Sequence, residues 1–320
     1  MRFLLTEEQR AFARSLDAML TAADTPAVVR AWGDGEHGPG LALWGRLADA
    51  GLFALAVPEE YEGVGPLPVE LCAAFVELGR HAAPGPLVET VAAAALLGAL
   101  DDPGPAKRLL PSLASGALRA ALAHPATGPY ALDPDAAGLL LVVEGNAVRA
   151  APGHEEPRAS ADPARRLARP LAGGEVLGAG AGAVGRALDV AALVTAAQSL
   201  GVGLALLDRT VAYVKERRQF GVAVGSFQAV KHRLADTLVA LEFARPLVFG
   251  AAVTGRGADV AAAKAAAGEA ACLAARAALQ LHGAIGYTEE LDLSLWLRKA
   301  RPLRDAWGTP ARCRERVLRP

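Results

Sequence analysis

One segment of the sequence, residues 186–207, is apolar on nearly every side instead of along one face. A helix with this pattern needs packed neighbours all round, so we expect it to lie at the centre of a helical bundle. The segment is rich in Ala and Gly and contains Gln198 and Ser199, whereas a membrane-spanning helix requires about 20 strongly apolar residues. We therefore predict a buried helix of a water-soluble protein, with no membrane association.

Helical patterns occupy both ends of the chain. The first part, residues 1–118, is predicted to hold helices at about 6–20, 41–50, 68–86, 88–100 and 105–115, of which the third is closed by Gly79 or by the prolines after it. The last part, residues 186–320, has the pattern of four or five long helices, as in an antiparallel bundle. Thr6 and Thr309 are placed to begin helices in the first and last parts, and Ser226 is predicted to cap another helix.

The part between them, residues 119–185, is rich in Pro and Gly and has little helical periodicity. Its clear strand candidate covers residues 138–145, and Gly145-Asn146 is placed to form a tight hairpin turn. We therefore predict a small β domain there. The fold class is then mostly α: an N-terminal helical domain, a reduced middle β domain and a C-terminal antiparallel helical bundle.

Composition excludes several classes of function. The net charge is −1 from 33 basic and 34 acidic residues, so no overall field attracts nucleic acid or acidic lipid. Cys72, Cys272 and Cys313 lie far apart without a Cys-x-x-Cys pair, which disfavours both a disulfide framework and a zinc site. His282 is interpreted as a packed histidine instead of a ligand. With no signal-peptide core in MRFLLTEEQR, we expect a cytoplasmic protein with no metal and no nucleic-acid partner.

Three stretches of the sequence resemble one enzyme family. The most specific, residues 213–236, has an Arg-x-x-Phe-Gly turn followed by Phe-Gln and a helix ending in Leu-Ala-Asp. Residues 279–309 are similar to a Gln-x-x-Gly-Gly-x-Gly-Tyr loop, the helix after it and a Gly-Thr turn, and residues 55–65 to an N-terminal loop. With these stretches at this spacing, the chain resembles the acyl-CoA dehydrogenases, flavin-dependent oxidoreductases of lipid metabolism with the same order of domains.

The resemblance implies FAD as the cofactor and assigns contacts to its ADP half. Arg217 corresponds to the family's arginine that reaches the pyrophosphate. Its guanidinium group is always charged and can donate two hydrogen bonds to the oxygens of a phosphate. The other corresponding positions are Gln219, Phe220, Gln228, Gln280, Gly283 and Ala284, of which the last replaces the family's second glycine. Adjacent arginines at a helix end more often compensate the helix dipole, but the neighbouring Phe-Gly and Ser-Phe-Gln favour binding. In the family, these contacts reach a flavin held mainly by the other subunit of a dimer.

The family's acid/base residue is missing from the sequence. The family's reaction removes an α-proton from an acyl thioester with a glutamate, while the β-hydrogen leaves as hydride to the flavin. The commoner position for this glutamate falls on Trp307 here and the alternative position on Ala191, and neither side chain can take up a proton. Acidic residues elsewhere in this region, Glu289, Glu290 and Asp305, are poor substitutes, because those before a helix commonly balance its dipole. The catalytic residue therefore stays unassigned.

The middle domain departs from the family in the same direction. Residues 119–185 are much shorter than the family's β domain and lack its Thr-rich and Trp-x-Thr or Trp-x-Ser segments, which hold the flavin ring. Contacts to a flavin in the same subunit are lost, while contacts to a neighbour's flavin remain. This pattern is typical of the β subunit of a heteromeric acyl-CoA dehydrogenase, such as a heterotetramer, in which a longer homologue holds the base and the acyl-CoA substrate.

Two other interpretations stay open at this point. In the first, the chain is a self-sufficient acyl-CoA dehydrogenase and a homo-oligomer, whose base has moved to a residue such as Asp305 or Glu290. In the second, the chain is a non-catalytic helical assembly protein that kept only the fold. A Rossmann-type nucleotide fold is disfavoured, because no Gly-x-Gly-x-x-Gly follows a strand.

Overall fold

The structure is a computed structural model and describes residues 4–319. Its N-terminal helices are α1 (Glu7–Thr21), α2 (Thr25–Gly33), α3 (Gly38–Asp49), α4 (Pro68–Arg80), α5 (Leu87–Leu97) and α6 (Gly104–Ala114). Thr6 caps α1 as predicted: its hydroxyl accepts from the backbone N–H of Gln9 at 3.2 Å. The Gln9 side chain accepts in turn from the backbone N–H of Thr6 at 2.9 Å, which completes a capping box.

The helix α2 was not predicted from the sequence. This helix has nine residues and follows Asp24, which has a left-handed φ of 48° and makes no side-chain cap. Such a short helix carries few local signals and is stabilised mainly by tertiary packing. Here the packing comes from Val28, Val29 and Trp32, all of which are buried.

The middle of the chain forms a small β structure. Its strands are β1 (Ala120–Ala123), β2 (Ala131–Leu132), β3 (Leu139–Glu144), β4 (Ala147–Ala150), β5 (Leu167–Ala168) and β6 (Glu175–Ala179). One sheet has the order β1-β3-β4-β6, in which β1 is parallel to β3 and the other pairs are antiparallel. The predicted hairpin at Gly145-Asn146 is confirmed, since Glu144 pairs with Ala147 across it. The strands β2 and β5 form a separate antiparallel pair.

The C-terminal part is a helical bundle around one long helix. Its elements are α7 (Ala181–Glu216), β7 (Arg218–Gln219), β8 (Val222–Ala223), α8 (Gln228–Thr254), α9 (Gly257–His282), α10 (Leu293–Asp305) and α11 (Pro310–Leu318). Every residue of α7 from 191 to 207 is buried, as predicted for a central helix, and α7 packs against α4, α5, α8, α9 and α10. The fold is therefore mostly α, with a small central sheet, as the sequence predicted.

Two glycines let the N-terminal helices and the bundle share one core. A Cβ atom at Gly201 of α7 would lie 1.9 Å from the carbonyl oxygen of Val76 in α4. One at Gly79 of α4 would lie 2.1 Å from the carbonyl oxygen of Gln198. No side chain fits at these separations, so the two backbones are in direct contact at this crossing.

Two helices, Gly182–Glu216 and Gln228–Thr254, are long and apolar enough to cross a membrane by length and composition. The most apolar window of the first is 94% buried inside the protein, as in a core helix, whereas that of the second is 39% buried. The exposed apolar side chains of α8 are Leu238, Val239, Phe243, Leu247 and Val253. We name this set the α8 face.

Candidate functional site

A short hairpin after α7 carries part of the predicted FAD contacts. Phe220 and Gly221 join β7 to β8 with φ values of 54° and 80°, the positive values of a tight two-residue turn. Phe220 is 91% exposed, and its ring lies edge-on to Phe227 with centroids 6.3 Å apart. The predicted Ser226 cap is wrong: the N-cap of α8 is Phe227, and the Ser226 hydroxyl donates to the carbonyl of Ala223 at 2.7 Å. The hydroxyl therefore stabilises the turn before the helix.

The end of α9 is fixed beside the end of α7. The rings of Tyr213 and His282 are stacked with centroids 4.2 Å apart, and Nδ1 of His282 lies 2.8 Å from the carbonyl oxygen of Ala278. His282 is only 7% exposed, which confirms its interpretation as a packed residue, and this burial lowers its pKa. Gly283 follows with a φ of 65° and no atom within 4 Å of a Cβ built there. This stacking brings the Gly283 turn to the end of the bundle where Arg217 ends α7.

The polar side chains at this end of the bundle are exposed and unpaired. Within residues 4–319, Arg217 and the amides of Gln219, Gln228 and Gln280 make no hydrogen bond or ion pair through their side chains. We name as the notch the seven predicted FAD contacts, Arg217, Gln219, Phe220, Gln228, Gln280, Gly283 and Ala284, all of which are exposed. A guanidinium and amides without internal partners are chemically suited to the oxygens of a pyrophosphate and its sugars.

The turn after α10 holds Trp307 at the edge of the interior. The Nζ atom of Lys264, which is fully buried, donates to the carbonyl oxygens of Leu303, Arg304 and Gly308 at 3.0, 2.7 and 3.2 Å. These bonds satisfy carbonyl groups at the helix end that would otherwise lack partners, and burial lowers the pKa of Lys264 to about 8. Trp307 itself has a φ of 55°. The hydrogen bonds from Lys264 therefore fix the turn that positions the indole of Trp307.

A buried carboxylate that the sequence analysis did not single out meets this indole. The Nε1–H of Trp307 donates to Oε1 of Glu89 at 3.1 Å. Glu89 is 1% exposed, and its other oxygen has no partner among the described residues. Burial raises the pKa of Glu89. The two residues are 218 positions apart, so no local signal in the sequence could reveal their contact.

The space around Glu89 is small. The cavity that it lines together with Gln198 and Lys299 holds about 10 Å³, room for about one water molecule. Lys299 is bound in a buried ion pair, with its Nζ 2.7 Å from Oδ2 of Asp162. Ala191, at the family's alternative base position, is fully buried. This interior has no room for an acyl chain and no proton acceptor at either base position.

The acidic substitutes considered from sequence lie on the surface. Asp305 is exposed and pairs with Arg304, with Oδ1 2.9 Å from Nε. Glu289 is exposed and pairs with Arg298, and Glu290 is exposed as well. The structure therefore brings none of these three carboxylates into the interior with Trp307.

The β structure offers no tryptophan to stack on a flavin ring. The four tryptophans of the chain are Trp32, Trp44, Trp296 and Trp307, all outside residues 119–185. The strands there have two to six residues. The residues present therefore suit the ADP half of FAD at the notch but do not fit an isoalloxazine ring within this chain.

Comparison with known proteins gives the family. The profile of the acyl-CoA dehydrogenase N-terminal domain matches residues 6–117, and that of the C-terminal domain matches residues 178–319. Acyl-CoA dehydrogenase IpdE2 of Mycobacterium tuberculosis is 36% identical over 310 residues, covering 92% of this chain and 91% of that protein. IpdE2 of Mycolicibacterium smegmatis is 32% identical over 310 residues, with 96% of each chain covered.

Solved structures agree with the sequence relatives. A chain of the ChsE4-ChsE5 complex from Mycobacterium tuberculosis superposes with a TM-score of 0.87 at 25% identity, covering 100% of this chain and 98% of that chain. The match extends through the small sheet, which lies almost entirely between the two domain profiles. The chain therefore belongs to the acyl-CoA dehydrogenase family, whose members are oxidoreductases that act on CH–CH bonds.

Proposed function

We propose that this chain is a non-catalytic partner subunit of a flavin-dependent acyl-CoA dehydrogenase. Its notch completes the binding site for the ADP half of an FAD whose ring is held by a catalytic homologue. The bound flavin supplies the hydride acceptor of the family's reaction, and the homologue supplies the base. The observation that carries the proposal is that the side chains of the notch are exposed and unpaired, while the cavity at Glu89 and Trp307 is too small for an acyl chain.

The unpaired side chains of the notch are evidence for a bound ligand. Among the exposed arginines of the bundle, Arg256 and Arg298 are held in ion pairs with Asp259 and Glu289. Arg217 has no such partner among the described residues, and neither do Arg186 and Arg218, so it is the motif around Arg217 that sets it apart. A pyrophosphate that accepts from Arg217 gains charge-assisted hydrogen bonds without breaking an existing pair.

The exposed apolar residues of the α8 face are evidence for a protein partner. Its side chains form an apolar surface along the bundle, and Phe243 is 74% exposed. Apolar surface of this kind in a water-soluble protein commonly marks a protein interface. The structural relative ChsE4-ChsE5 is a complex of two named components. We therefore propose a hetero-oligomer, such as a heterotetramer, in which the partner covers the α8 face.

We propose an acyl-CoA thioester as the substrate of the assembled enzyme, and a division of the chain into residues 1–118, 119–185 and 186–320. We also propose a cytoplasmic location. All three cysteines are unpaired and buried, as is usual in a reducing compartment.

The test compares two neighbouring arginines. Purified alone, the chain is expected to be colourless or weakly flavinated. Co-purified with a longer homologue that keeps the family's base and flavin-ring segments, it should form a complex that contains FAD. In that complex, Arg217→Ala should weaken FAD binding about tenfold to a hundredfold, because a hydrogen bond to a charged group contributes about 1.5–3 kcal/mol. Arg218→Ala, an adjacent exposed arginine, is the matched control and should bind FAD like the unmodified complex.

Flavin absorbance after gel filtration and titration of the apo-complex with FAD measure these effects. Equal loss of FAD in the two variants would mean that the loss of one positive charge in this region, and not a specific contact of Arg217, weakens FAD binding. Unchanged FAD binding in Arg217→Ala would contradict the notch as a cofactor site. Robust turnover of acyl-CoA by the isolated chain would overturn the non-catalytic role.

A second candidate function is favoured by one observation, the free oxygen of Glu89. In this alternative the chain is a self-sufficient dehydrogenase in which Glu89, hydrogen-bonded to the indole at the usual base position, acts as the base. The cavity of about 10 Å³ at Glu89 opposes it. Homomeric activity that Glu89→Gln abolishes would favour this alternative over the partner role.

A further inference from the structure

A groove of about 460 Å³ lies on the surface of the bundle, between α8 and the end of α10. Its floor is α9, and its walls are formed at Ala240 of α8 and Arg304 of α10. We name it the α9 groove. It shares no lining residue with the cavity at Glu89. The lining residues on α9 are Ala266, Glu269, Ala270, Cys272, Leu273 and Arg276.

The α9 groove has the dimensions of a seat for one more helix. Its floor runs from Ala266 to Arg276, which is about 15 Å at 1.5 Å per residue. Ala266, Ala270 and Leu273 are spaced as i, i+4 and i+7, so they lie on one side of α9. The short alanine side chains let a facing helix approach closely. A helix of about three turns therefore fits along the floor.

The groove continues the α8 face. Ala240 on its wall and Leu247 in the α8 face are one heptad apart and lie on the same side of α8. Phe243 lies between them along the helix and is 74% exposed. A partner that covers the α8 face therefore also reaches the α9 groove.

The wall at α10 is held in place by contacts within this chain. A Cβ atom built at Gly268 of α9 would lie 3.2 Å from the Cα atom of Arg304, so the two backbones pack closely there. One turn further along α9, the thiol of Cys272 donates to the carbonyl oxygen of Ala300, with 3.7 Å between sulfur and oxygen. The groove is therefore formed before any partner binds.

One positive charge in the groove is not balanced by this chain. Glu269 pairs with Arg314, and Arg304 pairs with Asp305 at 2.9 Å between Nε and Oδ1. Arg276 is exposed and makes no hydrogen bond or ion pair through its side chain within residues 4–319. The charged residues of the lining and their partners therefore contain one surplus arginine.

From these features we propose that the α9 groove receives a helix of the catalytic homologue, and that this helix presents a carboxylate to Arg276. The inference rests on the proposed partner role and adds the chemistry of the partner's surface. A carboxylate can accept two hydrogen bonds from the guanidinium. A partner without a carboxylate would cover Arg276 and leave its charge without a counter-ion, which is costly inside an interface.

A second copy of this chain fits the groove less well. In a twofold contact the same surface of both copies meets, so two unpaired Arg276 side chains would be brought together. The carboxylates at the groove, Glu269 and Asp305, are already held in ion pairs. Charge therefore favours a different chain as the occupant.

The experiment measures assembly of the full chain with the longer homologue by sedimentation velocity over a range of concentrations. Arg276→Glu should weaken assembly about tenfold or more at about 0.1 M salt, because the new carboxylate repels that of the partner. At about 1 M salt, where the screening length falls to about 3 Å, most of this difference should disappear. The matched control is Arg301→Glu, which changes an exposed arginine that also lacks a partner among the described residues but does not line the groove. It should assemble like the unmodified chain.

A second variant tests the groove by volume instead of charge. Ala266→Phe fills part of the floor and should weaken assembly at both salt concentrations. Both arginine variants replace exposed side chains, so the isolated chains should unfold at the same temperature as the unmodified chain.

The outcomes separate this inference from the partner role. Equal affinity of Arg276→Glu and Arg301→Glu overturns the inference. A complex that contains FAD and is insensitive to Arg276→Glu and Ala266→Phe overturns it as well, while the partner role stands. Absence of any complex overturns both. Self-association of the isolated chain that Arg276→Glu abolishes would show that a second copy occupies the groove, against the inference.

Discussion

Asp133 is a carboxyl group with no exposure to solvent and a left-handed backbone φ of 46°. Its Oδ1 accepts from the backbone N–H of Arg166 at 2.9 Å, and its Oδ2 has no partner among the described residues. Burial raises its pKa from 3.8 to about 8. The folded protein therefore keeps a proton on Asp133 over a range of pH in which the unfolded chain has released it.

The sign of the resulting pH dependence follows from linkage. A pKa raised by folding gives a contribution to stability that is fully present below pH 3.8 and is lost as the pH rises to about 8. We predict that Asp133→Asn flattens the decline of the unfolding free energy between pH 5 and pH 8 by at most about 1.4 kcal/mol per pH unit. The amide keeps the acceptor for Arg166, and asparagine tolerates the left-handed backbone better. Urea unfolding at several pH values measures the slopes, and identical slopes in the two proteins would contradict the prediction.

At the scale of elements, the crossing of α4 and α7 depends on backbone contact. The carbonyl of Val76 occupies the position that a side chain at Gly201 would need. Interiors are close-packed and yield little, so even one added methyl group separates the two helices. Gly185 on the same helix meets no atom and provides an internal comparison.

We predict opposite effects for the same substitution at these two glycines. Gly201→Ala should lower the free energy of unfolding by about 1–3 kcal/mol, the usual cost of overpacking a core. Gly185→Ala should leave it unchanged or raise it by about 1 kcal/mol, since alanine is the better helix former. Chemical denaturation of the two variants side by side measures both. A loss of stability of equal size at both positions would mean that the α4–α7 crossing is not the cause.

Local features of the elements were predictable from sequence, and long-range contacts were not. The Thr6 cap, the Thr309 cap of α11 and the hairpin at Gly145-Asn146 each depend on neighbours within a few residues. The contact of Trp307 with Glu89 joins residues far apart in the chain, so only the folded structure reveals it. The same holds for the small cavity at Glu89, whereas the residues of the notch were predicted from their motif.

At the scale of the whole molecule, exposed apolar surface concentrates on α8. Leu241 and Val248 of this helix are fully buried against the bundle, while Phe243, on another side, is 74% exposed. A helix with apolar side chains on two sides requires two sets of neighbours. Within residues 4–319 only one set is present, which agrees with the proposed partner subunit.

We predict that Phe243→Glu prevents assembly with the partner and leaves the fold of the isolated chain intact. Its side chain is mostly in water in the isolated chain, so the charge costs little until the interface forms, where an unpaired charge is costly to bury. Val176→Glu on β6, 71% exposed in the isolated chain, is the matched control. Sedimentation velocity of the mixed subunits measures assembly. Complexes of equal mass in the two variants would show that the α8 face is not the interface.

The α8 face also bears on how the protein must be made. On the proposed pairing, a copy without its partner exposes the apolar α8 face to water, and exposed apolar surface of this kind favours aggregation. On the proposed pairing, a surplus of this chain is therefore wasteful and hazardous to the cell. Matched synthesis of the two polypeptides, from one message or beside one another, is the simplest way to avoid orphan copies.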